Sequence, residues 1–161
     1  MEKDTNAMFA KKNFKVLCKY LDKKKWKYTK EEEKFRIEIA FSDRAHNVYV
    51  YLRFNEELGI VSALTSMSLP EIPENRRSLM AAAITLANGR LTEGNFDYNC
   101  LKDKILFRMS TSYIESVLSE SLYEYMISVA FHTIKEYYGK FEEICTAELK
   151  TITQLKNLIY G

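Results

Sequence analysis

A chain of 161 residues, 47% apolar and 13% aromatic, carries enough material for one well-buried domain and lies outside the composition of disordered or fibrous proteins. Its formal charge of +2 hides an asymmetry, because eleven lysines face six acids through residue 34, a net of +5 that leaves −3 for the remainder. Lys23-Lys24-Lys25 is answered by Glu31-Glu32-Glu33 and no arginine precedes Arg36, a pattern that argues against a nucleic-acid surface, where the planar arginine fork is usually exploited.

Phe9, Phe14, Leu17, Cys18 and Leu21 recur at intervals of three to five and predict an amphipathic helix, with Lys11, Lys12, Lys15, Lys19 and Lys23 mostly off its apolar face. Trp26 and Tyr28 follow at strand spacing. Phe35, Ile37, Ile39 and Phe41 then alternate with Lys34, Arg36, Glu38 and Ala40, as in an antiparallel strand with one wet face. After the turn signal Ser42-Asp43-Arg44, Val48, Val50, Leu52 and Phe54 share one face and Tyr49, Tyr51 and Arg53 the other. Asn55-Glu56-Glu57 turns the chain into a third strand from Leu58 to Met67, completing a meander.

Pro70 denies the sheet a donor, and Pro73 suits the first turn of a helix. Ile72, Leu79, Ala83, Leu86 and Leu91 are the expected buried stripe of that helix, and Gly94 its left-handed stop. Phe96/Tyr98 and Ile105/Phe107/Met109 form a hairpin about Lys102-Asp103. Ser119 is the expected N-cap of the last helix, whose stripe is Leu122, Met126, Val129, Thr133 and Tyr137. Gly139 interrupts, and Phe141, Ile144, Glu148, Ile152, Leu155 and Ile159 keep helical spacing to the end. The order helix, three strands, helix, two strands, long helix predicts an α+β fold: an antiparallel sheet of five or six strands with the helices mainly on one face. The expected division is a domain over 1–138 and a helical extension over 139–161, packed on that domain or on a dimer mate.

Chemistry is hard to assemble from these residues. Cys18, Cys100 and Cys145 are odd in number and widely spaced, unlike a disulfide framework or a zinc site, and read as buried structural thiols in a reducing compartment. His46 and His132 lack partners at ligand spacing, so no metal and no cofactor is expected. Asp97 and Asp103 flank a hairpin with no shared apolar setting to raise a carboxyl pKa, and suit turn geometry better than acid catalysis. Phosphate loops are absent, and Gly89 and Gly94 sit at the wrong end of a helix for one. Arg76 and Arg77 near a helix N-terminus are the alternative, an anion site that could act with the N-terminal lysines. Met1-Glu2-Lys3-Asp4 opens a polar segment unlike a signal peptide. The longest apolar run, Leu79 to Ala87, is broken by Thr85 and too short to span a bilayer, so a cytoplasmic chain is expected.

The order of elements and its punctuation resemble the YbjN family of bacterial sensory transduction regulators, which shares its fold with type III secretion chaperones. The resemblance runs from about Phe14 to Tyr138. It is carried by Trp26, by Leu69-Pro70 with Ile72-Pro73, by Asn88-x-x-Leu91-x-x-Gly94-x-Phe96, and by Ile105-Leu106-Phe107-Arg108. It implies a two-layer α+β fold, a homodimer and no enzymatic activity. The residues themselves offer one candidate binding surface. Arg36, Tyr49, Tyr51, Arg53, Leu106 and Arg108 project from the sheet face opposite the core, and tyrosine and arginine are enriched in interface hot spots. A cross-strand ladder would use the same side chains, and both roles can hold together. The expected function is therefore a non-enzymatic, chaperone-like adaptor for a polypeptide partner.

Overall fold

The computed structural model describes residues 2–42, 47–66, 69–146, 148 and 151–161, with side chains from Thr5 onward. His46 and most of the turn predicted at Ser42-Asp43-Arg44 lie outside the described residues. Helix α1 (Glu2–Lys23) is followed by strands β1 (Tyr28–Glu31), β2 (Arg36–Ser42), β3 (Asn47–Asn55) and β4 (Ile60–Ser66). Helix α2 (Arg77–Asn88), the hairpin β5 (Asn95–Asn99) and β6 (Lys104–Ser112), and helices α3 (Glu120–Thr146) and α4 (Ile152–Tyr160) complete the chain. The sheet has six strands in the order β1-β2-β3-β4-β6-β5, and every neighbouring pair is antiparallel.

Alternation along β2, β3, β4 and β6 sends Ile37, Ile39, Val50, Leu52, Val61, Ala63, Phe107 and Met109 into one buried layer. Helices α1, α2 and α3 cover that layer with Phe14, Leu17, Leu21, Met80, Ala83, Met126, Ile134 and Phe141. Each of these four strands buries one face, and the helices cover it from one side, which makes two layers. One buried side chain ties the helical layer to the loop before α3. Asn13 donates from Nδ2 to the carbonyls of Phe9 (2.9 Å) and Ser116 (2.8 Å), and its Oδ1 accepts from Leu118 N (2.8 Å) and the Tyr123 hydroxyl (2.8 Å).

The structure corrects several sequence expectations. A 3₁₀ turn, Glu74–Arg76, separates Pro73 from α2, so the helix starts later than the proline suggests. Its buried residues are Met80, Ala83, Ile84 and Ala87; Leu79, Leu86 and Leu91 lie beside this stripe, half-buried. The helix ends at Asn88, well short of Gly94, because the Asn88 side chain pairs with β5. It accepts from Phe96 N at 2.7 Å and donates to Phe96 O at 3.0 Å, as a neighbouring strand would. Gly94 does adopt a left-handed conformation (φ 72°), but there it opens β5 beneath the Phe107 ring.

In α3 the buried stripe runs through Tyr123, Met126, Ile127, Ala130, Ile134 and Tyr137, one residue out of phase with Leu122, Val129 and Thr133. Gly139 does not interrupt this helix, which continues to Thr146. The glycine faces open space, so its only penalty is the propensity cost of about 1 kcal/mol. The chain instead breaks after Thr146 and restarts at α4 with a capping box between Thr151 and Gln154. Glu148 and Ile152 are exposed, while Leu155 and Ile159 are buried against the same chain. Arg90 donates to Tyr160 O (3.0 Å) and Lys140 to Ile159 O (2.9 Å). Of the apolar positions in the stripe that argued for a dimer mate, Phe141, Ile144, Leu155 and Ile159 are covered within one chain, whereas Ile152 is 64% exposed.

Helix α1 stops at a paired 6→1 and 5→2 arrangement, Trp26 N donating to Leu21 O (3.1 Å) and Lys25 N to Asp22 O (3.0 Å). Lys25 takes the left-handed position at φ 57°, where glycine pays no steric penalty. Lys25→Gly is therefore expected to stabilise the protein by roughly 0.5–1 kcal/mol, read as a higher urea midpoint at unchanged slope. An unchanged or lower midpoint would contradict this account of the cap.

Candidate interaction surface

The face of the sheet opposite the helices carries the residues singled out from the sequence. Register places them in two rows across the strands. Glu38, Tyr51, Leu64 and Arg108 stand opposite one another on β2, β3, β4 and β6. Ala40, Tyr49, Ser66 and Leu106 form the adjacent row, continued by Asp97 on β5. Tyr49 is 36% exposed, and Tyr51, Leu64 and Leu106 are half-buried, so an aromatic and aliphatic centre lies open to solvent. Arg36, Arg53 and Arg108 border it.

Two of these arginines are already held in place. Arg108 Nη2 pairs with Asp97 at 2.8 Å, and Arg36 Nε approaches Glu31 at 3.5 Å while its guanidinium lies 5.1 Å from the Tyr51 ring centroid. Burial, together with a hydrogen bond to Glu38, pushes the Tyr51 hydroxyl above its ordinary pKa. These pairs are partly exposed and worth little as stability, but they fix the directions of long side chains before any partner arrives. The ladder and the candidate contact surface are the same object. Sequence reasoning missed Leu64, because β4 carries apolar residues on both faces (Ile60 and Leu64 outward, Val61 and Ala63 inward), and its alternation gives no phase. Glu38 was readable as an outward carboxylate from alternation alone, but that it stands opposite Tyr51, and Asp97 opposite Leu106, follows from the cross-strand register.

The alternative anion site is occupied by the protein itself. Arg77 clamps Asp103 through Nε (3.0 Å) and Nη2 (2.7 Å), with the Tyr98 hydroxyl donating to the same carboxylate at 3.2 Å. Burial and Asp103 push Tyr98 up to about 12. Arg76 Nη1 donates to Ile144 O at 3.3 Å. Asp103 is thus both a left-handed turn residue (φ 47°) and an ion-pair acceptor, and Asp97 serves Arg108. His132 Nδ1 lies 2.8 Å from Ser128 O one turn earlier. The thiols divide: Cys145 is buried and Cys18 half-buried, both pushed up by burial, whereas Cys100 is exposed, contrary to the expectation of three buried thiols. Among the described residues no group of three or more His, Cys, Asp or Glu could hold a metal ion, and no helix is long and apolar enough to cross a membrane.

Six antiparallel strands with the sheet-covering helices all on one side define a two-layer α+β protein with an open sheet face. The chain belongs to the YbjN family, described as "Putative bacterial sensory transduction regulator", whose match spans residues 13–143. The crystal structure of YbjN from E. coli superposes with a TM-score of 0.58 at 10% identity, covering 78% of this chain and 91% of that one. The HopA1–SchA chaperone–effector complex contributes a chain with a TM-score of 0.53 at 11% identity, covering 82% and 95%. A chain of the ExsC–ExsE complex gives 0.54 at 10% identity, covering 84% and 95%. At these identities the likeness is one of fold, and it agrees with the chaperone-like α+β architecture expected from the sequence. No curated protein matches the chain significantly.

Proposed function

We propose that this protein is a non-enzymatic, cytoplasmic adaptor that binds a polypeptide partner through the open sheet face. The observation that carries the reading is the Tyr49, Tyr51, Leu64 and Leu106 centre bordered by Arg36, Arg53 and Arg108. An exposed apolar centre with an arginine rim has the make-up of a binding hot spot. Two proteins of similar fold support it by analogy, since one is a chaperone in complex with an effector and the other belongs to the ExsC–ExsE complex. The family description adds a signalling context. The reading based on Arg76 and Arg77 is weakened by their engagement with Ile144 and Asp103. Affinity capture from the native host, followed by mass spectrometry, tests the proposal when wild type is compared with Tyr49→Ala/Tyr51→Ala. A partner retained by the first and lost by the second supports it. Identical captured sets would count against the sheet face. A second copy of the chain among the lost partners would make the face a homodimer contact.

A further inference from the structure

A groove of about 520 Å³ lies between α1 and the turn joining β1 to β2, away from the sheet face. Phe14, Cys18 and Phe35 give it an apolar lining, the two rings meeting edge to face at 5.7 Å. Phe35 sits there in a left-handed conformation (φ 44°), which a bulky aromatic adopts only when its surroundings enforce it. Strain of this kind is retained where it positions a side chain, and here it brings the ring against Phe14. Lys11, Lys15 and Lys19 line the α1 wall, all exposed, and none is ion-paired among the described residues. Glu33 and the Lys30–Glu32 pair stand on the opposite wall, with Glu32 held below the usual carboxylate range by Lys30 first and, more weakly, by Lys15 and Lys11, so the lining keeps an excess of positive charge.

We propose that this groove binds an extended polypeptide segment that alternates carboxylate and apolar side chains. The spacing favours that occupant. Lysines four residues apart on a helix repeat about every 6 Å. Alternate side chains of an extended peptide repeat about every 6.7 Å, so successive carboxylates can meet successive lysines while the intervening apolar residues face Phe14 and Phe35. A fatty acid has one carboxylate and would engage only one lysine. A nucleic-acid strand is charged at every unit, so it would bring phosphates against Glu32 and Glu33, and it would find no arginine in the lining. The inference rests on the reading of the chain as a polypeptide binder but uses a different surface, so either can fail alone.

The probe is a fluorescein-labelled seven-residue peptide alternating glutamate and leucine, titrated by anisotropy against the full chain. Binding should weaken about tenfold or more in Lys11→Glu/Lys15→Glu/Lys19→Glu, and should fall when salt rises from about 0.05 M to about 0.5 M. Cys18, in the groove lining, should become protected from a thiol reagent while exposed Cys100 stays reactive as internal control. The Tyr49→Ala/Tyr51→Ala variant should bind the peptide as wild type does, which separates this site from the sheet face. The substituted lysines are exposed, so the triple variant should keep its fold, checked by circular dichroism. No binding, equal affinity in a folded triple variant, or an unprotected Cys18 would overturn the proposal. So would stronger Cys18 protection by decanoate or by a ten-nucleotide oligothymidylate, which would assign the groove to an amphiphile or to nucleic acid.

Discussion

Asn13→Ala is expected to destabilise the protein by about 3–4 kcal/mol. Asn13 is fully buried, and all four of its hydrogen-bonding positions are used. Truncation removes the partners of the half-buried Leu118 N–H and of Ser116 C=O, leaves the buried Tyr123 hydroxyl only the Asn13 carbonyl at 3.4 Å, and opens a cavity; each buried group left without a good partner costs about 1–3 kcal/mol. The loss should also be local. Leu118 N–H should lose hydrogen-exchange protection more than the amides of β3 in the sheet centre, because α1 would no longer hold the loop before α3. A variant with wild-type stability, or one loosened uniformly, would show that Asn13 does not fasten the helical layer.

Gly94→Ala should be comparably severe, at about 3 kcal/mol. A Cβ built at this position lies 2.3 Å from Phe107 Cζ and 2.8 Å from Arg108 O, and φ is 72°. Overpacking contributes about 1–3 kcal/mol, and the left-handed conformation about 1 more for a residue with a side chain. Should Gly94→Ala fail to fold, the coupling remains measurable in a Phe107→Leu background, which removes the ring that collides. The alanine substitution should cost about 1 kcal/mol less there, as expected for residues in direct contact. Equal costs in both backgrounds would leave the effect to backbone strain and the Arg108 carbonyl and refute the role assigned to the ring.

Much of the architecture was legible because β2 and β3 alternate without ambiguity. Ile37 and Ile39 oppose Arg36 and Glu38, and Val50 and Leu52 oppose Tyr49 and Tyr51, so burial fixes both face and phase. The helices were legible in existence more than in phase. In α2 the sequence Leu79-Met80-Ala81-Ala82-Ala83-Ile84 is apolar all round, and periodicity cannot select Met80 and Ile84 over Leu79 and Leu86. The end of α2 was misplaced because the true stop is a long-range pairing. Asn88, the last residue of the helix, turns its side chain to the Phe96 backbone, and no local rule connects the two. Gly139 misled for the opposite reason: it is a breaker by propensity, but α3 is long, well packed on both sides of it, and open at that position. Tyr49, Tyr51 and Arg53 could be read as outward residues from alternation alone. That Leu64 completes their centre, and that Glu31 and Asp97 orient the flanking arginines, follows from strand register, which one sequence does not contain.

The open sheet face is the proposed binding surface. Its most direct test is the affinity of a purified captured partner for wild type and for Tyr49→Ala/Tyr51→Ala, with circular dichroism confirming an intact fold. Anchor rings commonly cost about 2 kcal/mol or more on truncation, so the account predicts a loss of roughly thirtyfold or greater. His132→Ala and Cys100→Ser should leave the affinity unchanged. An unchanged affinity in the folded tyrosine variant, with loss in the histidine or cysteine variant, would contradict the claim and move the search to a site built on chemistry.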